Sequence, residues 1–339
     1  MRARYFVGGT LAVVLLALPW SSWAQGSYQL HIPLGLDADQ LEIPKDNPLT
    51  AAKVELGKLL FFDPRLSVDD TVACASCHSP QFGFSNGLAT AIGVKGQRGG
   101  RSAPVAINRA FSTRQFWDGR AASVEEQALG PIQASIEMGH TLKAVVTKLK
   151  RFRRYRELFG KAFGTDVTSE GIAKAIASFE RTLLSGNSPF DRYEAGDTSA
   201  LSPAARRGLV IFRTKANCTS CHAGFNFTDE DFHNIGVGMD KPKPDLGRFA
   251  VTKQDADRGA FKSPTLRDVV LSAPYMHDGS LKTLEEVIEY YDRGGTKNRW
   301  LDEKIKPLGL TAQEKRDLLA FLKALTGAPI VVRVPSLPE

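Results

Sequence analysis

Four cysteines carry the first argument. The 339-residue chain has Cys74, Cys77, Cys218 and Cys221 and no others. Each pair is spaced C-x-x-C and is followed at once by a histidine, in Cys74-Ala75-Ser76-Cys77-His78 and in Cys218-Thr219-Ser220-Cys221-His222. Two thiols at this spacing can each add to a vinyl group of one porphyrin as a thioether, and the adjoining imidazole then reaches the iron. A single copy could be half of a zinc site. Two copies that consume every cysteine point to two covalent haems c, because a pair of reactive dithiols would leave both histidines without a purpose.

The elements around these strings repeat. Leu56-Gly57-Lys58-Leu59-Leu60-Phe61 precedes the first motif and Arg207-Gly208-Leu209-Val210-Ile211-Phe212 the second. Both read as amphipathic helices feeding a haem loop. After the first motif come Ser102-Ala103-Pro104, Trp117-Asp118-Gly119-Arg120 and Ser123-Val124-Glu125-Glu126-Gln127. After the second come Lys262-Ser263-Pro264, His277-Asp278-Gly279-Ser280 and Thr283-Leu284-Glu285-Glu286-Val287, at one constant offset of 160 residues. Apolar helices predicted over 172–184 and 312–325 close the two halves, the second starting with a capping box, Thr311 and Glu314. With short helices, Gly/Pro-rich loops and no alternating strand pattern, the expected fold is all-α. It comprises two cytochrome c-type domains, 25–195 and 196–339, packed about a pseudo-two-fold relation.

A haem iron that only carries electrons needs a second axial ligand, whereas one that reacts with peroxide needs an open position. Under the offset, Tyr291 falls opposite Pro131, which has no donor atom. The residues leave alternatives open: Met138 and His140 for the first iron, and Met239, Met276 and His277 beside Tyr291 for the second. Residues 1–24 read as a secretory signal, with Arg2 and Arg4, an apolar stretch from Val7 to Trp20, and small residues at Ser22 and Ala24. Cleavage near Ala24 implies a periplasmic protein with no remaining membrane span. Losing Arg2 and Arg4 takes the formal charge from +7 to +5, too small an excess to imply a nucleic-acid partner. A basic run from Lys143 to Arg156 reads as one helix with a solvated face, or as a dock for an acidic protein.

The strings LGKLLFFDPRLS, QFWDGRAASVEEQALGPI, IEMG, GRFAVT and AFKSPTLRDVVLSAPYMHDGSLKTLEEV resemble the bacterial di-haem cytochrome c peroxidase and MauG family across nearly the whole mature chain. The resemblance implies that His78 is proximal ligand of a peroxide-reacting haem and His222 of an electron-transfer haem. It implies that Trp117 relays electrons between them, and that Gln127, Glu137 and Pro131 form the peroxide pocket. A carboxylate there can take a proton from peroxide and return it to the leaving oxygen. Calcium between the domains is also implied, with Ser272 and Pro274 as matching positions and Ser102 where an asparagine is usual.

Two departures matter. Ordinary family members carry a capping histidine at the position of Val94, and a methionine at that of Tyr291. The first iron is therefore expected to be open without reductive activation. The second is expected to be His/Tyr ligated, as in MauG-like proteins, since a hard phenolate favours higher oxidation levels. The expected activity is peroxide-dependent oxidation of a protein partner. The alternatives are an ordinary peroxidase drawing electrons from a small cytochrome c or cupredoxin, and a non-catalytic di-haem carrier.

Overall fold

The computed structural model describes residues 26–339, so the expected signal segment lies outside the described residues. Among the described residues eleven α-helices run from α1 (Ala51–Phe62) to α11 (Ala312–Lys323). The only sheet among the described residues is a short antiparallel ribbon, β1 (Phe232–His233) against β2 (Phe261–Lys262). The all-α expectation holds.

The two halves build the same device. In the first, α1 crosses α6 (Ser169–Glu180), and in the second, α8 (Pro203–Arg213) crosses α11. The glycine in each pre-motif helix explains the crossing. A Cβ at Gly57 would lie 1.8 Å from the Ala175 carbonyl oxygen, and one at Gly208 would lie 1.9 Å from that of Asp317. Backbone meets backbone at both places, and only glycine permits it. Leu56, Leu60 and Phe61 then enter one core with Ile172, Ile176 and Phe179, while Leu209 and Phe212 enter a second with Leu318, Phe321 and Leu325.

The repeat also sets the caps. In α3 (Val124–Gln133), Ser123 Oγ accepts from the Glu126 amide at 3.1 Å while Glu126 accepts from the Ala122 amide at 2.7 Å. In α10 (Leu284–Asp292), Thr283 and Glu286 do the same at 3.2 and 2.5 Å. The predicted Thr311–Glu314 box is present at the start of α11.

Three differences from the sequence reading emerge. The helix placed over 172–184 ends at Glu180, and residues 181–184 turn away to lead the chain toward the second half. The basic run is two helices, α4 (Leu142–Lys150) and α5 (Arg153–Phe163). Phe152 breaks it by taking an extended conformation, with its ring 4.3 Å from the Arg65 guanidinium. Finally, Ile330 and Val332 pack on the first core, and Arg65 Nη1 donates to the Pro338 carbonyl at 2.7 Å, so the C-terminal segment ties back across the first half.

Candidate active site

Each C-x-x-C-H string sits at the mouth of an apolar cavity. The cavity beside the first is lined by Cys74, Cys77 and His78, by Gln127 and Pro131 from α3, and by Ile92, Gly93, Glu137, Met138 and Glu180. His78 Nδ1 lies 3.1 Å from the Phe84 carbonyl oxygen. A carbonyl can only accept, so the proton sits on Nδ1 and the Nε2 lone pair is left for a metal. Burial holds the ring's pKa below its ordinary value and keeps it neutral. Burial also keeps both thiols protonated, Cys77 being pushed up to about 11.

Gln127, Pro131 and Glu137 line this one cavity, for a local reason. After α3 the chain folds back, with the Glu137 and Gly139 amides both donating to the Ala134 carbonyl at 2.9 Å. The loop before it is pressed against this turn. The Val94 amide donates to the Glu137 carbonyl at 2.8 Å, and a Cβ on Gly93 would lie 2.0 Å from the Ile136 oxygen. Burial raises the Glu137 carboxyl above its ordinary pKa, opposed by the charge of Arg120. Val94 is buried in the first core and offers no donor. Of the alternative first ligands, Met138 lines the cavity, whereas His140 stands outside it with Nδ1 accepting from the Thr141 amide at 3.0 Å.

The second cavity is larger, about 230 Å³, and is lined by Cys218, Cys221, His222 and Tyr291. His222 repeats the arrangement of His78, with Nδ1 3.0 Å from the Phe227 carbonyl oxygen. Burial pushes the Cys218 thiol up to about 12. Tyr291, at the end of α10, makes no hydrogen bond through its hydroxyl to any described residue. Burial raises its phenol pKa, and negative charge on Cys218 or Cys221 would raise it further. Met276 and His277 line the same cavity. His277 is stacked on Phe261 with centroids 3.6 Å apart, and Met239 lies against Gly259 outside the lining.

The first half supplies part of this second cavity's wall. Trp117 is there, its Nε1 donating to the Ser102 carbonyl at 2.8 Å. Ser102, Ser272 and Pro274 line the same cavity. The one three-residue cluster of His, Cys and carboxylate groups among the described residues, Cys221, Asp229 and His233, does not include them. The sequence reading missed Glu180 and Arg109, which line the first and second cavities respectively. A glutamate inside an apolar helical run was the available signal for Glu180, since such a charge is rarely buried without a purpose.

The donor sets fit a haem c at both places. Each has two thiols, an imidazole fixed by a carbonyl with Nε2 free, and a mostly apolar cavity. When bound, such a haem supplies the redox chemistry.

Residues 51–199 match the family described as di-haem cytochrome c peroxidase. The chain is 46% identical over 299 residues to the methylamine utilization protein MauG of Methylorubrum extorquens, covering 87% of this chain and 84% of that one. It is 38% identical over 294 residues to the cytochrome c551 peroxidase of Nitrosomonas europaea, covering 86% and 85%. A crystal structure of a MauG-like protein associated with microbial copper homeostasis superposes with a TM-score of 0.82 at 33% identity, covering 88% of this chain and 96% of that one. No helix among the described residues is long and apolar enough to cross a membrane. This chain therefore belongs to the di-haem cytochrome c peroxidase/MauG family, whose enzymes act on peroxide.

Proposed function

We propose that this chain is a periplasmic MauG-like enzyme in which the first haem site admits peroxide and the second, ligated by His222 and Tyr291, holds oxidising equivalents for a protein partner. The observation that carries this reading is the Tyr291 hydroxyl, without a hydrogen-bond partner among the described residues, on the wall of the cavity that also contains His222. The corresponding wall of the first cavity is Pro131, and Val94 is packed in the core.

In this account the residues divide the work between the two halves. Glu137 takes a proton from the incoming peroxide and returns it to the departing oxygen, and its raised pKa suits both transfers. Gln127 orients the peroxide from the same wall. Pro131 walls the first cavity with a ring that neither binds a metal nor donates. Trp117 passes electrons between the halves. Calcium, if bound, would use oxygens of Ser102, Ser272 and Pro274.

Tyr291→His tests the proposal. The variant should retain two haems and an unchanged rate of reaction with peroxide, because the first cavity is untouched. It should raise the Fe(III)/Fe(II) potential of the second haem and shorten the lifetime of the peroxide-oxidised protein. A resting optical spectrum identical to wild type would remove Tyr291 as a ligand and return Met276 or His277 to the position. A variant that holds its oxidising equivalents as long as wild type would favour the ordinary peroxidase.

A further inference from the structure

The boundary between the two halves carries charge that the chemistry above does not use. Arg109 belongs to the first half but lines the second cavity. Its Nε is buried and has no hydrogen-bond partner. Its Nη2 holds the Ser112 hydroxyl, which in turn lies 2.8 and 2.6 Å from the two carboxylate oxygens of Glu230. Lys262, on β2 and only 5% exposed, stands on the same lining and donates to Glu230 Oε1 at 2.7 Å. A buried lysine thus bonds Glu230 directly, and a partly buried arginine reaches it through Ser112. Glu180, on the wall of the first cavity, attracts Arg109 through charge, but no hydrogen bond joins them. The other lysines on the second lining, Lys304 and Lys306, are exposed and have water to bond.

A buried N–H without an acceptor is rare and calls for a missing partner. The cavity is otherwise mostly apolar, which suits a porphyrin plane, but a haem also carries two carboxylate arms that need cations when withdrawn from water. An arginine fork matches a carboxylate with two parallel hydrogen bonds. We propose that Arg109, assisted by Lys262, receives a carboxylate arm of the second haem at the boundary between the halves and thereby raises that haem's midpoint potential. Positive charge at this place disfavours the ferric state relative to the ferrous one. The proposal rests on the reading that Cys218 and Cys221 attach a haem. It does not depend on Tyr291 being the ligand.

The test uses the holoprotein and the variants Arg109→Gln and Arg109→Lys. Wild-type haem content is measured first, and a chain carrying no haem at Cys218 and Cys221 overturns both the attachment reading and this proposal. In Arg109→Gln, spectroelectrochemical titration should show the second haem's midpoint falling, with a smaller change at the first. In both variants the propionate bending band of one haem should shift in the resonance Raman spectrum. Arg109→Lys keeps the charge, so it still reads out if the glutamine variant fails to fold. Unchanged Raman bands and potentials would overturn the proposal while leaving the two-haem reading intact. So would a shift larger at the first haem, or one that vanishes in a Glu180→Gln background, since Arg109 would then act through Glu180.

Discussion

The Lys262 amide donates to the Trp117 carbonyl at 2.8 Å, and the Ser102 amide donates to the His277 carbonyl at 2.7 Å. Under the 160-residue offset, Ser102 corresponds to Lys262 and Trp117 to His277. The pseudo-two-fold relation therefore appears as one hydrogen bond made twice, once from each half to the other. The Trp117 indole adds its bond to the Ser102 carbonyl, so both its backbone and its ring direction are fixed at the boundary.

Trp117→Phe should keep an aromatic ring, smaller than the indole, and lose the Nε1 donor and the easily oxidised indole. Both haems should remain, and the rate of reaction with peroxide should be unchanged. Electron exchange between the halves, followed by rapid-mixing spectroscopy after partial reduction, should slow by at least about tenfold, or about 1.4 kcal/mol of barrier. An unchanged exchange rate would take Trp117 out of the path.

Glu137→Gln should retain both haems and slow the reaction with peroxide by roughly 10²–10⁴-fold, the usual worth of a positioned acid–base group. In the wild type the working form is the carboxylate. Its pKa is raised by burial, so the rate should fall as pH drops through a value above that of an ordinary glutamate. Stopped-flow rates against pH check both. A variant with the wild-type profile would show that the proton moves elsewhere.

The crossing glycines give a stability prediction with an internal control. Gly57→Ala and Gly208→Ala force a Cβ onto the Ala175 and Asp317 carbonyls, and each should destabilise the fold by about 1–3 kcal/mol in denaturant titrations. Gly160, inside α5, has open space where a Cβ would go. Gly160→Ala should therefore stabilise by roughly 0.5–1 kcal/mol. Equal effects at all three sites would contradict the packing account.

Calcium gives a fourth prediction. If Ser102, Ser272 and Pro274 hold the ion, prolonged chelation should perturb Trp117 fluorescence, because the indole is bonded to the Ser102 carbonyl. Readdition of calcium should restore it. A chelator-insensitive protein with no calcium by elemental analysis would leave this place as a hydrogen-bonded junction only.

Much of the site was legible because its chemistry is local in sequence. The C-x-x-C-H strings place thiols and imidazole within one turn, the repeat placed the pre-motif helices, and Thr311 with Glu314 placed the start of α11. The turn that carries Glu137 was reachable only through resemblance, since its position depends on Gly93 and Val94 pressing from another segment. What stayed hidden depends on the other half of the molecule. Arg109 looks like any surface arginine until the second half covers it, and the carbonyls of Phe84 and Phe227 that orient the histidines leave no mark in residue type. The basic run looked continuous because charge spacing does not register that Phe152 turns inward.

The central claim is the asymmetry between an open first site and a closed second one, and the electron paramagnetic resonance spectrum of the resting ferric protein tests it most directly. Pro131 and Val94 on one side and Tyr291 on the other predict one high-spin and one low-spin haem in equal amounts, without prior reduction. Two low-spin signals would contradict the account and favour a di-haem electron carrier.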